Sequence, residues 1–255
     1  MNPGEYEVMS RVEEGHWWYR GLRDALVQTL GRRAPNLPSH PRVLDAGCGT
    51  GRNLVCLRDT LKPSYLAGFD ASEEALGFAR DKVPEAQLFV SDICKPVLPE
   101  AELDLVTSLD VIYIPGSDRA RPGLQDLVAA LRRGGYLAVN LPAYNWLYSD
   151  HDVAIHTSER FTASRVRSLF EDIGLVVDFV SYRICFLFPF VVASRLPSLL
   201  RGAASRETAR SDLHDVPSPR LNRVLYDVVR YENAMIAKGV GFPFGSSVFA
   251  IGHKP

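Results

Sequence analysis

The stretch Val43-Leu44-Asp45-Ala46-Gly47-Cys48-Gly49-Thr50-Gly51 decides how this chain is read. An apolar run of strand length enters a turn with three glycines, and the helical pattern from Arg52 to Leu61 follows at once. Glycines at such a turn let the backbone approach a ligand closely, and the first turn of the next helix offers free N–H groups to it. The spacing expects a nucleotide-like cofactor on the turn, with a plain tight strand-to-helix connection as the alternative. It is not the dinucleotide fingerprint G-x-G-x-x-G, because the third glycine, Gly51, comes one position early.

Working outward, short apolar runs alternate with helical patterns, the rhythm of a parallel sheet with crossover helices. Strands are expected at 42–46, 65–70, 87–91, 103–108 and 136–141, with helices at 52–61, 72–82 and 119–133, the last ending at Gly134-Gly135. A helix at 163–172 closed by Gly174, a strand at 175–182, a helix around 221–238 with Leu221, Leu225, Val228 and Met235 at helical spacing, and a strand at 246–252 complete the pattern.

Three acidic strand ends line up with the turn. Asp70 closes the second strand nineteen residues after Gly51, where a carboxylate accepts from both hydroxyls of a ribose; Ser72 beside it also reads as a helix cap that Asp70 merely flanks. Asp92 ends the third strand, placed to accept from an adenine amino group while Ile93 packs on the ring, or else is a plain acidic loop residue. The fourth strand runs into Leu109-Asp110-Val111 on the same edge, where open α/β sheets bind ligands.

As a set, these motifs resemble the class I S-adenosylmethionine-dependent methyltransferases from about Val43 to Leu141, and more loosely beyond. The resemblance implies a Rossmann-like α/β fold: a seven-stranded, mostly parallel sheet with an antiparallel last strand and helices on both faces. It implies S-adenosyl-L-methionine as cofactor, with Asp45 and the turn Gly47, Cys48, Gly49, Gly51 with Asn53 at its methionine end, Asp70 and Ala71 at the ribose, Asp92 and Ile93 at the adenine, and Leu109 alongside. Many members carry a Glu-His pair after the fourth strand; here Tyr113 and Ile114 stand in its place. Tyr113 is expected as an aromatic wall, with contact to the acceptor as a further role.

Two further stretches resemble a bacterial subgroup. In Gly15-His16-Trp17-Trp18-Tyr19-Arg20-Gly21-Leu22-Arg23, Arg20 or Arg23 is a candidate partner for the cofactor carboxylate, while Trp18, Leu22 and Leu26 read as a helix face docked on the sheet. Residues 142–161 hold aromatic side chains and titratable groups where a methyl acceptor belongs: Tyr144, Trp146, Tyr148 and Arg160 as acceptor contacts, His151 as first and His156 as second candidate for proton removal. The alternative is an Asp152–Arg160 ion pair that pins the loop, with His151 satisfied locally. The spacing of His151, Asp152 and His156 matches no recognised metal site, so none is expected.

The expected organisation is one methyltransferase domain over 1–255, with an N-terminal helical cap at 1–35 and a lid insertion at 184–243. The expected activity is methyl transfer to an oxygen, nitrogen or carbon of a small apolar or aromatic bacterial metabolite. The alternatives are a different group transfer with the same cofactor, or a catalytically silent regulatory partner. With 29 Lys+Arg against 30 Asp+Glu the chain has no basic field for nucleic acid, and no Asn/Asp-Pro-Pro-Tyr motif follows the fourth strand. The acidic N-terminus is not expected to act as a leader peptide, the four cysteines lack CxxC spacing, and the longest apolar run, 184–193, holds Pro189 and is too short to span a bilayer. A cytoplasmic monomer or homodimer is expected, with the 185–200 segment as buried lid or dimer interface in preference to peripheral membrane contact.

Overall fold

The structure, a computed structural model, describes residues 4–98, 102–201 and 217–255. Most of the polar stretch between Arg201 and Pro219, and with it the middle of the expected lid, lies outside the described residues. Seven strands form one sheet: β1 (Arg42–Ala46), β2 (Tyr65–Asp70), β3 (Gln87–Val90), β4 (Leu103–Leu109), β5 (Leu131–Pro142), β6 (Val176–Arg183) and β7 (Ser247–His253). Their order is β3-β2-β1-β4-β5-β7-β6. The first five pair in parallel, and β7 runs antiparallel to both β5 and β6. The strand order reverses between β1 and β4, the switch point at whose carboxyl edge a crevice opens.

The helices are α1 (Glu5–Val12), α2 (Trp17–Arg33), α3 (Arg52–Leu61), α4 (Glu73–Lys82), α5 (Ser117–Ala130), α6 (Asp150–Ala154), α7 (Ala163–Asp172), α8 (Phe188–Arg201) and α9 (Pro219–Ala237). Neighbouring residues of each central strand bury on opposite faces, as period-2 geometry dictates. Leu44, Val106, Leu137 and Val139 pack under Leu124 and Leu127 of α5 and Val166 and Phe170 of α7. On the other face Val43, Leu105, Ala138 and Phe249 pack under Leu22, Leu26 and Leu30 of α2 and Leu54 and Leu57 of α3. At Gly51 (φ +87°) an added Cβ would meet the Ala79 backbone at 2.8 Å, so the third glycine serves the close packing of α3 on α4.

Two elements depart from expectation. The helix expected to run to Arg133 ends at Ala130, and β5 begins at Leu131, paired with Leu103 before an irregularity that holds Gly134-Gly135. Gly134 N–H donates to the Lys254 carbonyl, so the glycines tie the strand to the C-terminus rather than stop a helix. On α9 the buried face is Val229, Glu232, Asn233, Ile236 and Ala237, whereas Leu221 is exposed. Glu232 replaces apolar packing with hydrogen bonds: its carboxylate accepts from the Ile184, Cys185 (2.7 Å) and Phe186 (3.0 Å) backbone N–H groups. At the crossing of α2 and α9 a Cβ on Gly21 would lie 2.6 Å from Val229 Cγ1, so the N-terminal helix and the last helix close against each other.

Candidate active site

A cleft of about 630 Å³ opens at the carboxyl ends of β1, β2 and β4. Its floor is the glycine turn. The N–H groups of Gly47 and Cys48 both donate to the Phe69 carbonyl at 2.8 Å, which locks the turn to the end of β2. Asp70 then braces it from the side, accepting from Gly49 N–H with Oδ2 and from Ser72 N–H with Oδ1, each at 2.9 Å. Ser72 Oγ caps α4 through Ala75 N–H, so the cap and the braced carboxylate exist together. Each Asp70 oxygen retains a lone pair for a ligand. Burial raises the Asp70 carboxyl above its ordinary range, and the backbone donors pull against that shift.

The rest of the expected cofactor wall is mostly in place. Asn53, Ala71, Asp92, Ile93 and Leu109 line the cleft together with Gly47, Cys48 and Gly49; Asp92 Oδ1 also accepts from Cys94 N–H at 2.8 Å, which fixes its loop. Asp45 lies beneath the turn, where Oδ1 accepts from Thr107 Oγ1 at 2.6 Å and burial raises its pKa to about 7. Gly51 packs on α4 outside the cleft.

Arg20 is not brought to the cleft: its guanidinium lies 3.8 Å over the Tyr226 ring of α9. Arg23 is buried and donates to the Glu13 and Glu14 carbonyls, holding the α1–α2 turn. The aromatic side chains of the same stretch do reach the cleft, since Trp17, Trp18 and Tyr19 line it.

On the opposite side stand Tyr113, His151, Asp152, Arg160 and, from α8, Val191, Ser194 and Arg195. The expected ion pair exists: Arg160 Nη1 donates to Asp152 Oδ1 at 2.6 Å with both side chains buried, and Arg160 Nε donates to the Ala143 carbonyl. Asp152 Oδ2 accepts from Ser149 N–H, capping α6, and Ser149 Oγ takes Arg195 Nη1. The pair therefore pins the loop, and His151 lines the cleft beside it.

His156 adopts φ +63° and does not line the cleft. Nor do Tyr144, Trp146 and Tyr148. Tyr144, at φ +59°, stacks between Trp146 and Tyr182, and this turns the aromatic group outward.

Sequence reasoning quoted Asp110 but gave it no role. The structure puts it in the cleft at φ +58°, with both carboxylate oxygens accepting from Asn140 Nδ2 at 3.0 Å. Protein encloses it on every side but the cleft, and that desolvation raises its pKa to about 7. The signal was Asp110 directly after an all-buried strand; its partners come from β5 and β6 and could not be read locally.

Residues 43–135 match the methyltransferase domain family. That match, together with relatives named as S-adenosylmethionine-dependent methyltransferases, supports membership of the class I S-adenosylmethionine-dependent methyltransferase superfamily. Among curated relatives it is 33% identical over 125 residues to the trans-aconitate 2-methyltransferase of Variovorax paradoxus, an alignment that covers 49% of this chain and 47% of that protein. The chain thus spans about half the length of that relative. Among solved structures it is similar to a chain of the complex between the Haloferax volcanii Trm112 methyltransferase activator and a methyltransferase, with TM-score 0.63, 22% identity, and coverage of 99% and 95%. It is also similar to an S-adenosylmethionine-dependent methyltransferase of Clostridium acetobutylicum, with TM-score 0.58, 12% identity, and coverage of 92% of each chain. At those identities the structural likeness is one of fold.

The residues present fit the family's cofactor. Gly47 and Gly49, at φ +82° and +53°, leave a cradle free of side chains, and a Cβ on Gly49 would already meet Met9 at 3.1 Å. Two buried polar atoms beside it, Thr50 Oγ1 and Asp45 Oδ2, have no hydrogen-bond partner among the described residues. Unsatisfied groups of this kind are costly unless a ligand or water completes them.

Proposed function

We propose that this protein transfers a methyl group from S-adenosylmethionine to an oxygen, nitrogen or carbon of a small acceptor with an apolar or aromatic body. The observation that carries this reading is the single cleft in which the glycine turn, Asp70, Asp92 and Ile93 form one wall while His151, Arg160 and Arg195 form the other. The four cysteines are free thiols, which suits a reducing cytoplasm.

The cofactor, when bound, supplies a methyl group already activated on a sulfonium. The chain's part is to bind, orient and exclude water. Asp70 accepts the ribose hydroxyls, and Asp92 the adenine amino group. Trp17, Trp18 and Tyr19 cover the cleft, while Tyr113 packs beside the acceptor. Arg160, fixed by Asp152 and Ala143, and Arg195 offer positive charge to a polar substituent of the acceptor. Holding the nucleophile in line supplies a large share of the rate. His151 takes the nucleophile's proton on its imidazole.

His151→Ala is therefore expected to lower kcat by about 100-fold or more and flatten the neutral limb of the pH–rate profile, with cofactor affinity unchanged. Wild-type turnover from pH 6 to 8 in this variant would remove His151 from the reaction.

A second prediction concerns pH. Asp45 and Asp110 are raised from 3.8 to about 7, so the fold without cofactor favours their neutral acids. Their contribution to stability is complete below about pH 4 and is lost as pH rises to about 7. A cationic cofactor beside Asp110 favours the ionised form. Its affinity is expected to rise between pH 6 and 8, while the uncharged-sulfur product changes less. Equal pH dependence of the two in calorimetry would contradict an electrostatic role for Asp110 in holding the cationic cofactor.

Methyl-labelled cofactor and an acceptor panel test the reaction itself. Label in the acceptor is the expected result. Cofactor consumed with no label transferred would indicate another group transfer, and tight binding without turnover a regulatory partner.

A further inference from the structure

Several large aromatic side chains stand exposed around α8 and α9. Phe186 and Phe190 at the start of α8, Trp146 from the loop after β5, Tyr231 of α9 and Phe244 before β7 are all well exposed, Phe190 at 71% and Tyr231 at 65%. Ring contacts gather them into two groups at the start of α8: Phe186 stacks on Tyr231, and Phe188 joins Trp146 to Phe244. On α9 the exposed Leu221, Val224 and Tyr231 recur at helical spacing, with Arg220, Arg223 and Arg230 one position ahead of each. The arginines thus form an exposed row alongside the apolar one.

The charge on this face is mostly of one sign: Arg220, Arg223 and Arg230 are exposed on α9 against a single exposed acid, Asp227. Residues 184–200 contain no acidic side chain. Glu232 of α9 is buried against the backbone N–H groups that open α8. The chain as a whole carries a formal net charge of -1, so this local excess of arginine is a segregated feature. A second copy is a poor occupant, since a two-fold contact would set arginine rows against each other. Amphipathic helices with aromatic and aliphatic side chains flanked by arginine match the interface of an anionic bilayer, where the rings enter the headgroup boundary and the guanidiniums meet phosphates. No helix among the described residues is long and apolar enough to cross a membrane.

We propose that this α8–α9 face docks the protein on the surface of an anionic phospholipid bilayer. Helix α8 also walls the cleft through Val191, Ser194 and Arg195, so docking sets the cleft beside the headgroups. An acceptor carried on a lipid is then the fitting substrate class. That consequence rests on the methyl-transfer reading; the docking itself does not.

Flotation of the full chain with vesicles of phosphatidylglycerol and phosphatidylcholine, against phosphatidylcholine alone, tests it without any turnover. Binding to the anionic vesicles is expected, weakened about tenfold by high salt. The double substitutions Phe190→Glu with Tyr231→Glu, and Arg220→Glu with Arg223→Glu, are each expected to weaken it about tenfold or more. Circular dichroism and affinity for the demethylated cofactor should stay at wild-type values, which separates lost docking from lost folding. No vesicle binding by folded wild-type protein, or equal binding by the variants, would overturn the proposal. A wild-type dimer dissociated by Phe190→Glu would also overturn it, by giving the face to a second copy.

Discussion

Arg183→Met is expected to destabilise the fold by about 3 to 5 kcal/mol, the cost of removing one member of a buried charge network. Arg183 is fully buried at the end of β6. Its Nη1 donates to Asn140 Oδ1 at 2.9 Å and its Nε to Asn233 Oδ1 at 3.4 Å. Asn233 Nδ2 in turn donates to the Gly21 carbonyl at 2.7 Å, and Asn140 Nδ2 to Asp110. One guanidinium therefore joins α2, α9, β5 and, through Asn140, Asp110 in the cleft. It also supplies positive charge to Glu232 and Asp110, although burial pulls its own pKa down. Methionine fills much of the volume but leaves both carboxylates without that charge. Denaturant unfolding monitored by circular dichroism should show the loss, and adding Glu232→Gln should make the double variant less unstable than the two separate losses add up to. A loss below about 1 kcal/mol would mean that the network is not a structural tie.

Asp70→Ala is the second large effect, an expected loss of about 3 kcal/mol, or roughly 100-fold, in cofactor affinity, from two charge-assisted hydrogen bonds to the ribose. Asp70 also holds Gly49 and Ser72, so alanine loosens the turn that would carry the methionine end. Asp70→Asn separates these roles in part, because its single oxygen still accepts from one backbone N–H and one ribose hydroxyl, while its amide NH2 can accept neither the second N–H nor the second hydroxyl proton. Affinity should fall in the order wild type, Asn, Ala. Unchanged affinity in the alanine variant would take Asp70 out of the binding site.

What could be read from the sequence was whatever local pattern decides. Strand β1, the glycine turn and α3 follow from contiguous residues, and α7 begins and ends at the expected Ala163 and Asp172. The start of β5 at Leu131 was hidden because it depends on pairing with Leu103, almost thirty residues earlier. That Tyr144, Trp146 and Tyr148 lie off the cleft could not be read from sequence, since a left-handed backbone at Tyr144 and its stacking on Tyr182 are products of the tertiary fold. Charge type alone makes Arg20 or Arg23 a candidate for the cofactor, whereas the position of Arg20 over Tyr226, more than two hundred residues away, is set by the tertiary fold. Asp110 owes its environment to Asn140 and Arg183, neither of them its neighbour in sequence.

The most direct test of the central claim is calorimetric titration of the purified protein with S-adenosylmethionine and its demethylated product, with NAD as control. Micromolar binding of both sulfur compounds and none of NAD is predicted. No binding of either by a folded sample, or binding of NAD alone, would contradict the account.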